Sequence, residues 1–157
     1  MVRRILCTGL LCLVAYGGIL HAQERKVIHV RVFSGKTGEP VSPSILMVRI
    51  NHVGTNHSRW VHKNYDGSAD VSLPEGASEV SIQATYDNST EVYINCDAAR
   101  ERDTVDPHWY KVEDILKAGL IMPNSCRPSR HAEIPKLEAK PGEFVLFVRE
   151  RKWREED

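Results

Sequence analysis

The amino-acid sequence predicts an all-β sandwich of about seven strands with one short helix towards the C-terminus. Three observations predict it. Apolar and polar residues alternate with a period of two in segment after segment. Gly, Pro, Asn and Asp fall between those segments. Only one later segment, from residue 107 to 118, spaces its apolar residues as a helix does.

The first strand is Ile28, Val30 and Val32 against His29 and Arg31. Ser34-Gly35-Lys36-Thr37-Gly38-Glu39-Pro40 ends it with turn residues. A second strand spans Ser44 to Asn51, with Leu46, Val48 and Ile50 on one face and Ile45 and Met47 on the other. Apolar residues on both faces predict burial on both sides. Asn51 to His57 reads as a loop, and Ser58 to His62 as a short strand carrying Trp60.

Asn64-Tyr65-Asp66-Gly67 is a turn, since Gly67 accepts a positive φ. Ala69, Val71 and Leu73 then alternate with Ser68, Asp70 and Ser72, and Pro74 removes a backbone donor and ends the pairing. Val80, Ile82, Ala84 and Tyr86 form a fifth strand. Val92 and Ile94 form a sixth, with Cys96 on their face.

From Asp97 to Asp106 charge dominates, which predicts an exposed loop. Asp106-Pro107 is a possible helix start, and Lys111 is another. Val112, Ile115 and Leu116 share a helix face, and Gly119 suits the C′ position. Leu120 to Met122 is extended, and Arg127 to Lys140 is polar and Pro-interrupted, a surface loop. Phe144 to Val148 is a continuous apolar run, a strand buried on both faces.

The first residues form a separate object. Arg3 and Arg4 precede an uncharged apolar run from Ile5 to Leu20, too short for a comfortable membrane span and followed by the small Ala22. This predicts a secretory signal peptide over residues 1–22. An uncleaved anchor is the alternative. A single sandwich domain then covers 23–149 and a charged tail 150–157. Inside the domain lie a core at 27–95, an extension with the helix at 97–142 and a final strand at 143–149.

Twenty-one basic and 21 acidic residues balance, so no global field favours nucleic acid or a membrane surface. Removal of the leader takes away Arg3, Arg4, Cys7 and Cys12 and leaves the pair Cys96 and Cys126. A lone pair in an exported chain predicts a disulfide, with two buried free thiols as the alternative. The leader and the pair together predict export to the periplasm or the medium.

Thr37-Gly38-Glu39-Pro40-Val41, followed by Asp66-Gly67-Ser68-Ala69-Asp70-Val71-Ser72-Leu73-Pro74-Glu75-Gly76, resembles the carboxypeptidase regulatory-like (transthyretin-like) domain over about Val27 to Ile94. That family carries a TG-x-P turn after its first strand and a DG turn leading to an alternating strand and LP-x-G. The resemblance implies an immunoglobulin/transthyretin-like sandwich. The run Tyr110 to Gly119, Asn124-Ser125-Cys126 and Lys140 to Arg149 looks like the C-terminal part of small exported bacterial proteins of unknown function. Members of the regulatory-like family are generally non-catalytic accessory, adhesion or interaction modules, so the resemblance supplies no active-site residues.

No catalytic constellation emerges from the residues. His52, His57 and His62 are evenly spaced, but five-residue steps alternate faces in an extended chain, and no carboxylate or Cys stands at ligand spacing. No metal site and no cofactor are therefore expected. Asn64, Asp66 and Asp70 lack the spacing of a calcium loop, and turn chemistry explains them. Glu113 and Asp114 read as first-turn helix acids. A hydroxyisourate hydrolase on a similar scaffold would end in a Tyr-Arg-Gly-Ser type tail, whereas this chain ends Trp153-Arg154-Glu155-Glu156-Asp157.

The expected function is that of an exported, non-enzymatic interaction or accessory module with a protein or glycan partner outside the cytoplasm. A carbohydrate- or peptide-binding module using aromatic residues is the alternative, and a metal-dependent hydrolase built on the histidines is a third reading. The candidate binding surface comprises His52, His57, Trp60, His62, Trp109 and Tyr110.

Overall fold

Among the described residues, alternating segments fold into nine strands and one helix. The structure is a computed structural model that describes residues 26–41, 45–53, 59–87, 91–97 and 108–150. The leader expected over residues 1–22, all but Asp97 of the loop expected from Asp97 to Asp106, His57 and the tail from 151 onwards lie outside the described residues. The strands are β1 (Val27–Ser34), β2 (Ile45–Ile50), β3 (Arg59–His62), β4 (Ala69–Ser72), β5 (Glu79–Asp87), β6 (Glu91–Asn95), β7 (Tyr110–Lys111), β8 (Leu120–Ile121) and β9 (Glu143–Glu150). The helix α1 (Val112–Ala118) lies between β7 and β8. Seven of these strands match the expected number, and the two-residue strands β7 and β8 add to β5 and β9 on the flank beside β6.

Two sheets pack face to face. In the first, the order is β4-β1-β9, and β8 and β6 share the far edge of β9. In the second, the order is β3-β2-β5, and β7 and β6 share the far edge of β5. β6 therefore belongs to both sheets: its start pairs with β5 and its end with β9. The helix runs from β7 on one sheet to β8 on the other, closing the same flank. On the opposite flank β3 and β4 meet.

The core follows the alternation. Ile28, Val30 and Val32 of β1, Leu46, Val48 and Ile50 of β2, Ala69 and Val71 of β4, and Val80, Ile82 and Ala84 of β5 are all buried. The outward residues of β2, Ile45 and Met47, are only half-buried, so the expected two-sided burial of that strand is partial. On β6 the expectation is reversed: Tyr93 is buried and Ile94 half-buried. A strand that switches sheets twists its inward face along its length, so a single period-2 reading cannot hold for it.

β9 is buried on both faces, as expected, from Phe144 to Val148. Phe144, Leu146 and Val148 face the sandwich interior in register with Val30, Val32 and Ser34. Its other face is covered by the segment 123–142. Arg127 to Lys140 is a surface segment, as expected, with no regular structure and no buried residue, but it lies along the core and does not stand away from it. Ile134, Leu137 and Ala139 pack against the core, the Arg31 Nη2 donates to the Glu138 carbonyl at 2.6 Å, and Ser129 N–H donates to the Lys36 carbonyl at 3.0 Å. The segment is a strap with no regular structure, and its apolar side chains fill the outer groove of β1 and β9.

The strap is fixed at both ends. At its start Cys126 is bonded to Cys96 with Cα atoms 5.1 Å apart. Gly35 lies against this bond, and a Cβ there would come within 2.6 Å of Asn124 Oδ1 and 2.9 Å of Cys126 Cβ. Glycine lets the turn after β1 touch the disulfide, and Asn124 Nδ2 donates to the Gly35 carbonyl at 2.9 Å. At its end Glu143 accepts from Lys140 N–H at 2.9 Å and from Arg31 Nη2 at 3.3 Å. The Lys140 N–H, more than the Arg31 charge, holds the Glu143 carboxyl below its ordinary range.

The helix begins after Lys111, not at Asp106-Pro107. Tyr110 and Lys111 pair with Val80 and Glu79, and Val112 N–H donates to the Ser78 carbonyl at 2.9 Å. Backbone committed to a strand edge cannot also start a helix. Glu113 and Asp114 sit in the first turn and Lys117 in the last, complementing the helix dipole. Among the described residues no helix is long and apolar enough to cross a membrane.

Candidate functional site

The site is built on a turn of unusual backbone. Asn51 and His52 follow β2, both at φ 55°, and Val53 N–H donates to the Ile50 carbonyl at 3.3 Å. Two successive left-handed residues make a type I′ turn, a conformation that costs non-glycine residues free energy. The Asn51 side chain offsets that cost. Its Nδ2 donates to the Gly76 carbonyl at 2.8 Å, and its Oδ1 accepts from Ser78 N–H at 2.8 Å, Ser78 Oγ at 3.0 Å and Glu79 N–H at 3.1 Å. Asn51 N–H itself donates to the Glu79 carbonyl at 3.0 Å. The turn is thus riveted to the loop that leads into β5.

That rivet aims the His52 ring. Its Nε2 lies 2.8 Å from Glu79 Oε2, and its plane stacks on the Trp109 indole with centroids 3.9 Å apart at 25°. A carboxylate only accepts, so Glu79 fixes the proton on Nε2 and leaves Nδ1 as the outward nitrogen. The His52 side chain is 55% exposed, and Trp109 is half-buried. The pair forms a rim at one end of the second sheet.

Behind the rim Tyr110 anchors the segment. Its ring stands edge-on to Phe144 at 5.0 Å and stacks on His108 at 4.7 Å, and its hydroxyl donates to Asp97 Oδ2 at 2.9 Å. Tyr110 is buried, which removes it from the expected binding surface. An aromatic with its ring in the core and its hydroxyl on a carboxylate is an anchor. Burial first, and the Asp97 charge second, push its hydroxyl far above the ordinary tyrosine value.

Of the other expected residues, His62 is placed away from this rim. His62 pairs with Ile45 at the far end of β2, about 17 Å away at strand rise. His57 lies outside the described residues. Trp60 pairs with Met47 on β3, and its side chain is outside the described set. His29 sits on the other sheet, with Nδ1 2.7 Å from Asp70 Oδ1. Among the described residues no group of three or more His, Cys, Asp or Glu side chains gathers to hold a metal ion.

The Asp-Gly turn at 64–68 is tied internally. Asp66 Oδ1 accepts from Ser68 Oγ at 2.6 Å and Ser68 N–H at 2.9 Å, and Asn64 Nδ2 donates to Asp70 Oδ2 at 3.3 Å. The Ser68 bonds hold the Asp66 carboxyl below its ordinary value.

Glu79 and Asn51 are absent from the sequence-based candidates. The signal for Asn51 was present: Asn at the end of an alternating strand is the residue that tolerates a left-handed turn. Nothing local marks Glu79. Comparison with protein-family models, with curated proteins and with solved structures finds no match to this chain.

Proposed function

We propose that this chain is an exported, non-catalytic interaction module that binds a partner outside the cytoplasm through the rim of His52, Glu79 and Trp109. The observation that carries the reading is the stack of His52 on Trp109, held by a turn whose two left-handed residues are fixed through Asn51. A surface pre-shaped in the free protein loses little side-chain freedom on binding. The disulfide between Cys96 and Cys126 suits an oxidising compartment and supports export. The resemblance to regulatory-like modules points the same way.

A carbohydrate- or peptide-binding role is the second reading, favoured by the part of the Trp109 indole that remains accessible. Affinity capture from periplasm and culture medium tests the proposal. Immobilised mature protein is expected to enrich a partner that the His52→Ala/Trp109→Ala variant, confirmed folded by thermal unfolding, does not retain. Enrichment of no partner, or equal capture by the variant, would refute it.

A further inference from the structure

The outer face of the second sheet carries a cation with no ionic partner among the described residues. Arg49 on β2 lies half-buried. Among the described residues its Nη2 has only the Met47 sulfur at 3.8 Å, and its buried Nε has no hydrogen-bond partner. Among the described residues no carboxylate pairs with it. A thioether is a weak acceptor for a guanidinium with five donors, so an anion-binding fork is left unfilled. Buried, unsatisfied donors are rare in folded proteins and call for an explanation.

The sheet register says what lies beside Arg49. Arg49 stands opposite Ser81 of β5. On the other side of β5, Lys111 faces Glu79 and Tyr110 faces Val80. The same register carried one residue further sets Trp109 across from Ser81. Arg49, Ser81 and Trp109 therefore form one row on the outer face, and Glu79 and Lys111 the next. Glu79 is engaged by His52, while Lys111 is exposed. Ser81 is buried at 2% exposure.

We propose that this row is the subsite for a carboxylated sugar, a uronate residue of an acidic polysaccharide; the assignment rests on the rim being a binding surface. The accessible flank of the Trp109 indole takes the C–H face of the sugar ring. The free donors of Arg49 take its carboxylate, and Lys111 adds a second positive charge. A peptide added as a strand fits poorly, because β5 is paired on both edges. β2 occupies one edge. β7, β6 and the Asn95 side chain, which bonds the Ala84 N–H and the Ile82 carbonyl, occupy the other. Recognition here rests on side chains, and a guanidinium beside an aromatic flank matches a charged ring.

Titration calorimetry on the mature protein tests this with three probes: oligogalacturonate, a neutral galacto-oligosaccharide of equal length, and oligoglutamate of equal charge. Saturable binding of oligogalacturonate is expected, weakened by added salt and by about ten-fold or more in Arg49→Gln. Arg49→Lys keeps the charge without the fork and is expected to bind with intermediate strength. Thermal unfolding of each variant confirms the fold. No saturable binding, equal binding of the neutral sugar, tighter binding of oligoglutamate, or wild-type affinity in Arg49→Gln would each overturn the assignment. If a captured partner still depends on His52 and Trp109 while oligogalacturonate does not bind, the sugar assignment fails and the interaction module stands. If neither binds, both fail.

Discussion

Asn51 is the residue on which the rim depends. Alanine in its place loses the four side-chain hydrogen bonds and strains a φ of 55°. Asn51→Ala is expected to cost about 2 kcal/mol in urea unfolding, and Asn51→Gly, which relieves the backbone, about half of that. Tyr110 gives a second residue-scale expectation. Removing its hydroxyl strands the Asp97 carboxylate, so Tyr110→Phe is expected to cost about 1 kcal/mol. A hydroxyl raised in the folded state stabilises fully below the unfolded tyrosine value near 10, and that contribution falls as pH rises above it. The alkaline decline in stability should therefore be shallower in Tyr110→Phe, measured by urea unfolding between neutral and high pH. The sequence exposed His52 and Trp109 as residues of interest but not as neighbours. They lie on segments far apart in the chain, and only the pairing of β5 with β7 brings them together. Tyr110 was equally visible as an aromatic, yet its burial depends on the same pairing.

At the scale of elements, the strap and the disulfide act together. Cys96 N–H donates to the Phe147 carbonyl at 2.8 Å and Ser125 N–H to the Cys96 carbonyl at 2.6 Å, so the bond joins β6, β9 and the strap. Its reduction is expected to cost roughly 3–4 kcal/mol on the loop-entropy account. The effect should appear first as protease cleavage between Arg127 and Lys140. Mass mapping of the cleavage sites checks this, and a strap equally resistant when reduced would count against it. The disulfide was legible because removal of the leader expected over residues 1–22 leaves only two cysteines. The strap was not legible. Ile134, Leu137 and Ala139 stand among Pro135 and charged residues, and no helix or strand period marks them. The two-sided burial expected for Phe144 to Val148 did imply that something must cover it. Only the tertiary course of the chain shows that the cover is the strap. The helix start was ambiguous for a similar reason, since a good capping sequence at Asp106-Pro107 competes with a strand contact that is invisible locally.

Across the whole molecule, the first and last strands lie side by side. β1 and β9 run parallel from His29 with Glu143 to Ser34 with Val148. Strand alternation made the sandwich legible, but not which strands pair, because period-2 patterns carry no partner information. β9 lies between β1 and β6, and Phe144, its second residue, is fully buried. Phe144→Ala is expected to lose about 3–5 kcal/mol, enough to unfold a domain of ordinary stability at 37 °C. Circular dichroism on heating checks it, and a loss below 1 kcal/mol would contradict the placement of that strand. The same frame confines the proposed partner to one end of one sheet. Hydrogen–deuterium exchange of the mature protein, alone and with the partner captured from the exported fraction, tests this most directly. Protection is predicted at residues 49–53, 79–81 and 109–111, with the turn at 64–67 and β4 unchanged. Protection centred on that turn or on β4, with 49–53 and 109–111 unchanged, would contradict it.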